Sequence, residues 1–110
     1  MPATVFQVIF MRGKLTQSAI LKKLETNRTR LNSYGVRRIG LFGSYARGAQ
    51  RMSSDIDFLV KFSNVSFDNY MDLKFFLERL FKKKVDLVTE ESLKPELKYV
   101  KQVARYAKAI

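Results

Sequence analysis

The chain has no cysteine and no histidine among its 110 residues. Disulfides, thiolate nucleophiles, zinc fingers and imidazole bases or ligands are therefore excluded. Any metal these side chains hold is held through oxygen, which points to magnesium or manganese. Acids are the second scarcity: 10 Asp and Glu stand against 21 Lys and Arg, a formal net charge of +11. Such a balance favours anionic partners, whether nucleic acid, nucleotide phosphates or an acidic protein; a merely solvated basic surface is the alternative. Long apolar runs are also missing, and none reaches the length of a membrane span. The opening MPATVFQVIF has no basic stretch ahead of its apolar residues, as a secretory leader requires. The expectation is a soluble, cytoplasmic protein with no membrane association.

What is present suits one compact domain. The apolar share is 46%, ordinary for a folded chain. Residues 1–14 are the least readable part and are treated as an N-terminal extension: Val5, Phe6, Val8, Ile9 and Phe10 suit an edge strand or a loose arm, and Met11 is an alternative start. From Thr16 to Ser33 a helix is predicted, because Ile20, Leu24, Asn27 and Leu31 recur at helical spacing. Gly35 suits the left-handed position that ends it. Val36 to Phe42 reads as a first strand, Tyr45 to about Ala49 as a short helix, and Asp55 to Phe62 as a second strand. Phe67 to about Phe81 is a helix with an unusually broad apolar face. Either it is well buried or its surplus faces a partner. Lys82-Lys83-Lys84 reads as a solvated helix end rather than a nucleic-acid patch, and Val85 to Val88 as a third strand. Leu93, Leu97, Val100, Ala104 and Ala107 predict a last helix, after which the chain adds a short strand or frays. The class is α/β, in the α+β sense of a short mixed sheet flanked by helices over residues 15–110.

Chemistry concentrates in GLFGSYARGAQRMSSDIDFLVK, residues 40–61. Asp55 and Asp57 sit one residue apart in an otherwise apolar run, so on a strand they share a face. Two like charges so placed are costly without a counter-ion, and a bound cation is the usual remedy. Gly43-Ser44 breaks the chain between a strand and a helix, where glycine lets backbone amides approach phosphate oxygens. Asp86 lies between Val85 and Leu87, whose side chains point to the other face; if the second and third strands are neighbours, three carboxylates converge. Such a triad suits two divalent ions at a triphosphate. Taken singly, Asp55 reads equally as a cap and Asp86 as an exposed strand acid; it is the conjunction that points to a site. Arg47 and Arg51, beside the turn, are either triphosphate partners or solvent-facing. Tyr45 is expected to pack rather than to stack on a base.

GSYARGAQRMSSDIDFLV with the downstream VDLV closely resembles the minimal nucleotidyltransferases of the polymerase-beta superfamily, from about residue 16 to the end of the chain. The resemblance implies that Gly43 and Ser44, with Arg47 in the Ser-Tyr-Ala-Arg-Gly form, hold nucleotide. It implies that Asp55, Asp57 and Asp86 are the metal-binding and catalytic carboxylates. The implied cofactor is magnesium, two ions, or manganese, with ATP as substrate. Many small members resemble the antitoxin of a two-gene pair and adenylylate a tyrosine of a HEPN ribonuclease toxin. A HEPN toxin is therefore the implied partner, in a hetero-complex or with homo-oligomers. The alternatives are transfer to a small-molecule hydroxyl, and a non-catalytic antitoxin or RNA-binding module, nucleic acid being the secondary partner.

Overall fold

The computed structural model describes residues 15–108 and residue 110; the expected N-terminal extension lies outside the described residues. Strands β1 (Val36–Phe42), β2 (Ile56–Phe62), β3 (Val85–Thr89) and β4 (Arg105–Tyr106) make one mixed sheet in the order β3-β2-β1-β4. β1 runs antiparallel to β2 and to β4, and β2 runs parallel to β3. The helices are α1 (Gln17–Thr26), α2 (Arg28–Ser33), α3 (Gly43–Arg47), α4 (Phe67–Phe81) and α5 (Val100–Val103). This is the expected short mixed sheet flanked by helices.

Alternation along the strands sends successive side chains to opposite faces. Ile39 and Leu41 of β1, Ile56, Phe58 and Val60 of β2, and Val85 and Leu87 of β3 form the core face. They meet Ile20 and Leu24 of α1, Leu31 of α2, and Leu73, Phe76, Leu77 and Phe81 of α4. On the other face the register aligns Phe42, Asp57 and Asp86 in one row, and Gly40, Leu59 and Val88 in the next. Both carboxylates of that row therefore stand on the face turned away from the core.

Four expectations are corrected. The helix predicted over Thr16–Ser33 is two helices, broken at Asn27. There Thr26 Oγ1 and Asn27 Nδ2 both donate to the Lys23 carbonyl, at 3.0 and 2.8 Å, offering that oxygen an alternative to the helix ladder. The short helix begins at Gly43, two residues earlier than expected, and ends at Gly48, which takes the left-handed conformation with φ 70°. The second strand begins at Ile56, leaving Asp55 just ahead of it. The last predicted helix does not form. Single 3-10 turns at Glu90–Ser92 and Pro95–Leu97 and the short α5 replace it, with Lys94 extended as a residue before proline prefers.

In α4 the broad apolar face is only partly buried. Leu73, Phe76, Leu77 and Phe81 face the sheet, whereas Phe67 is 77% exposed and Phe75 half-exposed. The same helix closes the outer edge of β3. Tyr70 Oη donates to the Leu87 carbonyl at 2.6 Å, and the Val85 N–H donates to Glu78 Oε2 at 3.2 Å. At the opposite edge β4 lies so near β1 that a Cβ on Gly40 would meet Arg105 O and Tyr106 Cδ1, each at 2.9 Å.

A carboxylate ties these parts together. Glu90, only 3% exposed, accepts from Arg38 Nε at 2.6 Å, from Arg38 Nη2 at 2.7 Å and from Tyr106 Oη at 3.3 Å. Lys101 Nζ approaches it to 3.9 Å. The Arg38 fork holds the Glu90 carboxyl below the usual range, against the opposing effect of burial.

Candidate active site

β1 delivers the chain to Phe42, which lies opposite Asp57 in β2. The next residue, Gly43, turns with φ 72°, and a Cβ built there would land on Asp57 Oδ2 and 3.1 Å from its Cγ. Only glycine fits, both for the backbone angle and for the space. α3 begins at that point, so the first amides of the turn have no carbonyl one turn earlier to bond. The helix is fastened from beneath. Tyr45 is buried, as expected for packing, and Gln17 Nε2 donates to the carbonyls of Tyr45 and Ala46 at 3.2 and 2.9 Å.

Across β2 the parallel pairing with β3 sets Asp57 directly opposite Asp86. Strands two and three are neighbours, the condition on which the sequence-based triad depends. Asp55 precedes the first strand residue, whose N–H donates to the Lys84 carbonyl at 3.1 Å. Asp57 is pushed up from 3.8 to about 6, first by burial, then by the charge of Asp86, a hydrogen bond with it, and the charge of Asp55; Arg47 pulls the other way. Each of the six named residues thus has a place: Gly43 and Ser44 in the turn, Asp57 and Asp86 paired across strands, Asp55 at the strand entry, and Arg47 exposed but close enough for its field to reach Asp57.

These residues fit a hard divalent cation in one respect and leave it incomplete in another. In a chain rich in lysine and arginine, none of the three aspartates makes an ion pair among the described residues, where the pairs are Arg38–Glu90, Lys61–Glu91 and Lys101–Glu90. The uncompensated repulsion between Asp57 and Asp86 is what a cation relieves. Yet among the described residues no three acidic side chains already form a cage for an ion. Magnesium characteristically takes one or two carboxylates and completes its shell with water and substrate phosphates, so a partial protein cage suits it.

One residue of the site region escaped the sequence. Lys83 Nζ reaches back to the carbonyls of Met52 and of Ser54, the latter at 3.3 Å. The same loop is closed on itself, with the Arg51 N–H donating to Ser54 Oγ at 2.8 Å and the Ser54 N–H to the Arg51 carbonyl at 2.9 Å. Lys83 therefore braces the loop that leads into Asp55. Nothing in a run of three lysines distinguishes the middle one. Lys82 does end α4, in the left-handed conformation with φ 54°, so the helix-end reading holds for it alone.

A family model described as the nucleotidyltransferase domain matches residues 21–109. A Methanocaldococcus jannaschii protein, provisionally named a protein adenylyltransferase, is 40% identical over 86 residues, covering 76% of this chain and all of the relative. Alignments with further relatives, from Methanocaldococcus jannaschii and Thermococcus cleftensis, span 65% and 63% of those proteins, just under two thirds of their length. Among solved structures, one provisionally described as a minimal nucleotidyltransferase is 32% identical with a TM-score of 0.72, covering 83% of this chain and 95% of that one. A toxin–antitoxin crystal structure with AMP-PNP contains a chain 28% identical, TM-score 0.60, covering 87% of this chain and 75% of that one.

Proposed function

Because the chain belongs to the nucleotidyltransferase domain family, we propose that it transfers AMP from ATP to a hydroxyl of a partner protein, a tyrosine of a HEPN ribonuclease toxin, and so acts as an antitoxin. The observation that carries this reading is the approach of Gly43 to Asp57 with Asp86 directly across the strand pair. The Gly43 turn and the carboxylate pair lie side by side, on the sheet face turned away from the core. Relatives named protein adenylyltransferases support the reaction, and the neighbour solved with AMP-PNP in a toxin–antitoxin complex supports both the nucleotide and the kind of partner.

In this reading Gly43, Ser44 and the first amides of α3 hold the triphosphate, and Arg47 lends it positive charge. Asp55, Asp57 and Asp86 would hold magnesium, which would supply charge neutralisation at the transferring group. The acceptor hydroxyl oxygen forms a bond to the α-phosphorus, the bond from that phosphorus to the bridging oxygen breaks, and pyrophosphate leaves with the electron pair. The hydroxyl proton passes to a carboxylate oxygen of the Asp57–Asp86 pair, since the chain has no histidine to take it. The described residues include no helix long and apolar enough to cross a membrane. A donor such as ATP places the work in the cytoplasm.

The test incubates the protein with α-labelled ATP, magnesium and a purified HEPN partner, comparing wild type with Asp55→Asn/Asp57→Asn. Label on the partner with wild type and none with the variant is expected. Equal labelling by both removes the carboxylates from the mechanism. Neutralisation of the toxin by the unlabelling variant makes the protein an occluding antitoxin rather than an enzyme.

A further inference from the structure

Between β3 and β4 the chain exposes more than it buries. No residue from Glu91 to Tyr106 is buried, although the Pro95–Leu97 turn and α5 give the segment regular structure. Three large apolar side chains in it point outward: Leu97, Tyr99 and Val103, at 41%, 58% and 57% exposure. Tyr99 and Val103 are one helical turn apart and share a side. Around them Lys94, Lys98 and Arg105 are exposed, and Glu96 is the only acid within residues 94–105.

The segment is also fixed relative to the transfer site. Its exit, Arg105, pairs with Leu41 of β1, two residues before Gly43. Lys101 reaches the buried Glu90 at its other side. That antiparallel register runs the residues ahead of Arg105 toward Phe42, the end of β1 from which α3 starts.

We infer that residues 94–105 are a docking surface for the acceptor protein, which meets them with an apolar centre ringed by acids. The inference rests on the protein-acceptor reading above. Charge selects the occupant: the rim is basic, and a second copy of a chain with net charge +11 would be repelled. Side-chain chemistry selects protein over RNA, because Leu97 and Val103 offer area to bury but no ring on which a base stacks, leaving Tyr99 as the lone aromatic in the cluster. Docking of this kind holds an acceptor hydroxyl at the site without touching the reacting atoms.

Two variants of the full chain test it: Tyr99→Ala/Val103→Ala, and Lys94→Glu/Lys98→Glu. The readout is steady-state AMP transfer to the purified HEPN partner, with thermal stabilisation by AMP-PNP and magnesium as the control for an intact nucleotide site. The expected result is a KM for the acceptor raised about tenfold or more in each variant, equivalent to about 1.4 kcal/mol or more. KM for ATP and the AMP-PNP shift should stay at wild-type values. Acceptor KM unchanged in both variants overturns the docking surface. The charge variant decides the matter if the apolar variant fails to fold. Loss of RNA retention by the charge variant, with acceptor KM unchanged, overturns it in favour of RNA. A wild type that labels no protein overturns the underlying reading instead, so the two failures are distinguishable.

Discussion

Asp57 and Asp86 face each other across the parallel β2–β3 pair, and burial first, then the charge of Asp86, push the Asp57 carboxyl up to about 6 in the folded protein. Between pH 3.8 and about 6 the folded state holds a proton that the unfolded chain has released. The unfolded state therefore binds fewer protons, and metal-free stability falls as pH rises through that window. Asp57→Asn should flatten this fall and raise metal-free stability at pH 7 by about 1–2 kcal/mol, after allowance for solvent screening. Thermal unfolding in chelator across pH checks it. Added magnesium should raise the melting temperature of the wild type and leave the variant nearly unmoved.

Gly43→Ala should abolish AMP transfer while leaving most of the protein folded. The new methyl would displace the Asp57 carboxylate and strain a backbone with φ 72°. A loss of about 1–3 kcal/mol in stability, read by urea unfolding, is consistent with left-handed strain. Retention of more than a tenth of wild-type activity would mean that the turn and Asp57 do not act together.

Lys83→Met should slow transfer by about tenfold, at little cost to nucleotide binding, because the loop before Asp55 loses its brace. Lys83→Arg, which keeps a donor, should recover part of the rate. The informative comparison is kcat against KM for ATP: a purely structural role would lower the melting temperature and the yield of active protein without changing kcat per folded molecule.

Glu90→Gln should destabilise the domain by about 1–3 kcal/mol, since it leaves the Arg38 fork without its anion in a site where only the arginine end is open to water. The carboxyl of Glu90 is held below its ordinary value, so its contribution is present above the unfolded pKa and is lost as pH falls through the folded one. Acid unfolding of the wild type should show that loss and the variant should not. Nucleotide binding, measured with AMP-PNP, should survive in the folded fraction.

Much of the frame was readable from spacing alone. Val36–Phe42 and Phe67–Phe81 lie where the apolar pattern put them, and the Asp-x-Asp run identified the strand that carries the carboxylates. Strand order was not readable, because nothing local says that β2 pairs with β3 rather than leaving it at a distance. Leu93, Leu97, Val100 and Ala104 show how a helical stripe misleads. Their spacing is right, but Pro95 removes a backbone donor and the chain is drawn instead into β4, which buries Ala107. Glu90 was invisible for the opposite reason. An acid after a strand reads as surface, and only the arrival of Arg38 and Tyr106 from distant positions makes its burial tolerable.

The side chains of Tyr70 and Glu78 along the outer edge of β3 have a consequence for recognition. They occupy outward backbone groups of that strand, while β4 covers part of the other border of the sheet. A foreign strand finds two of those groups already taken, which disfavours β-augmentation and edge-to-edge aggregation along β3. A partner must be read by side chains and charge, and its affinity should weaken with ionic strength rather than with competing extended peptides.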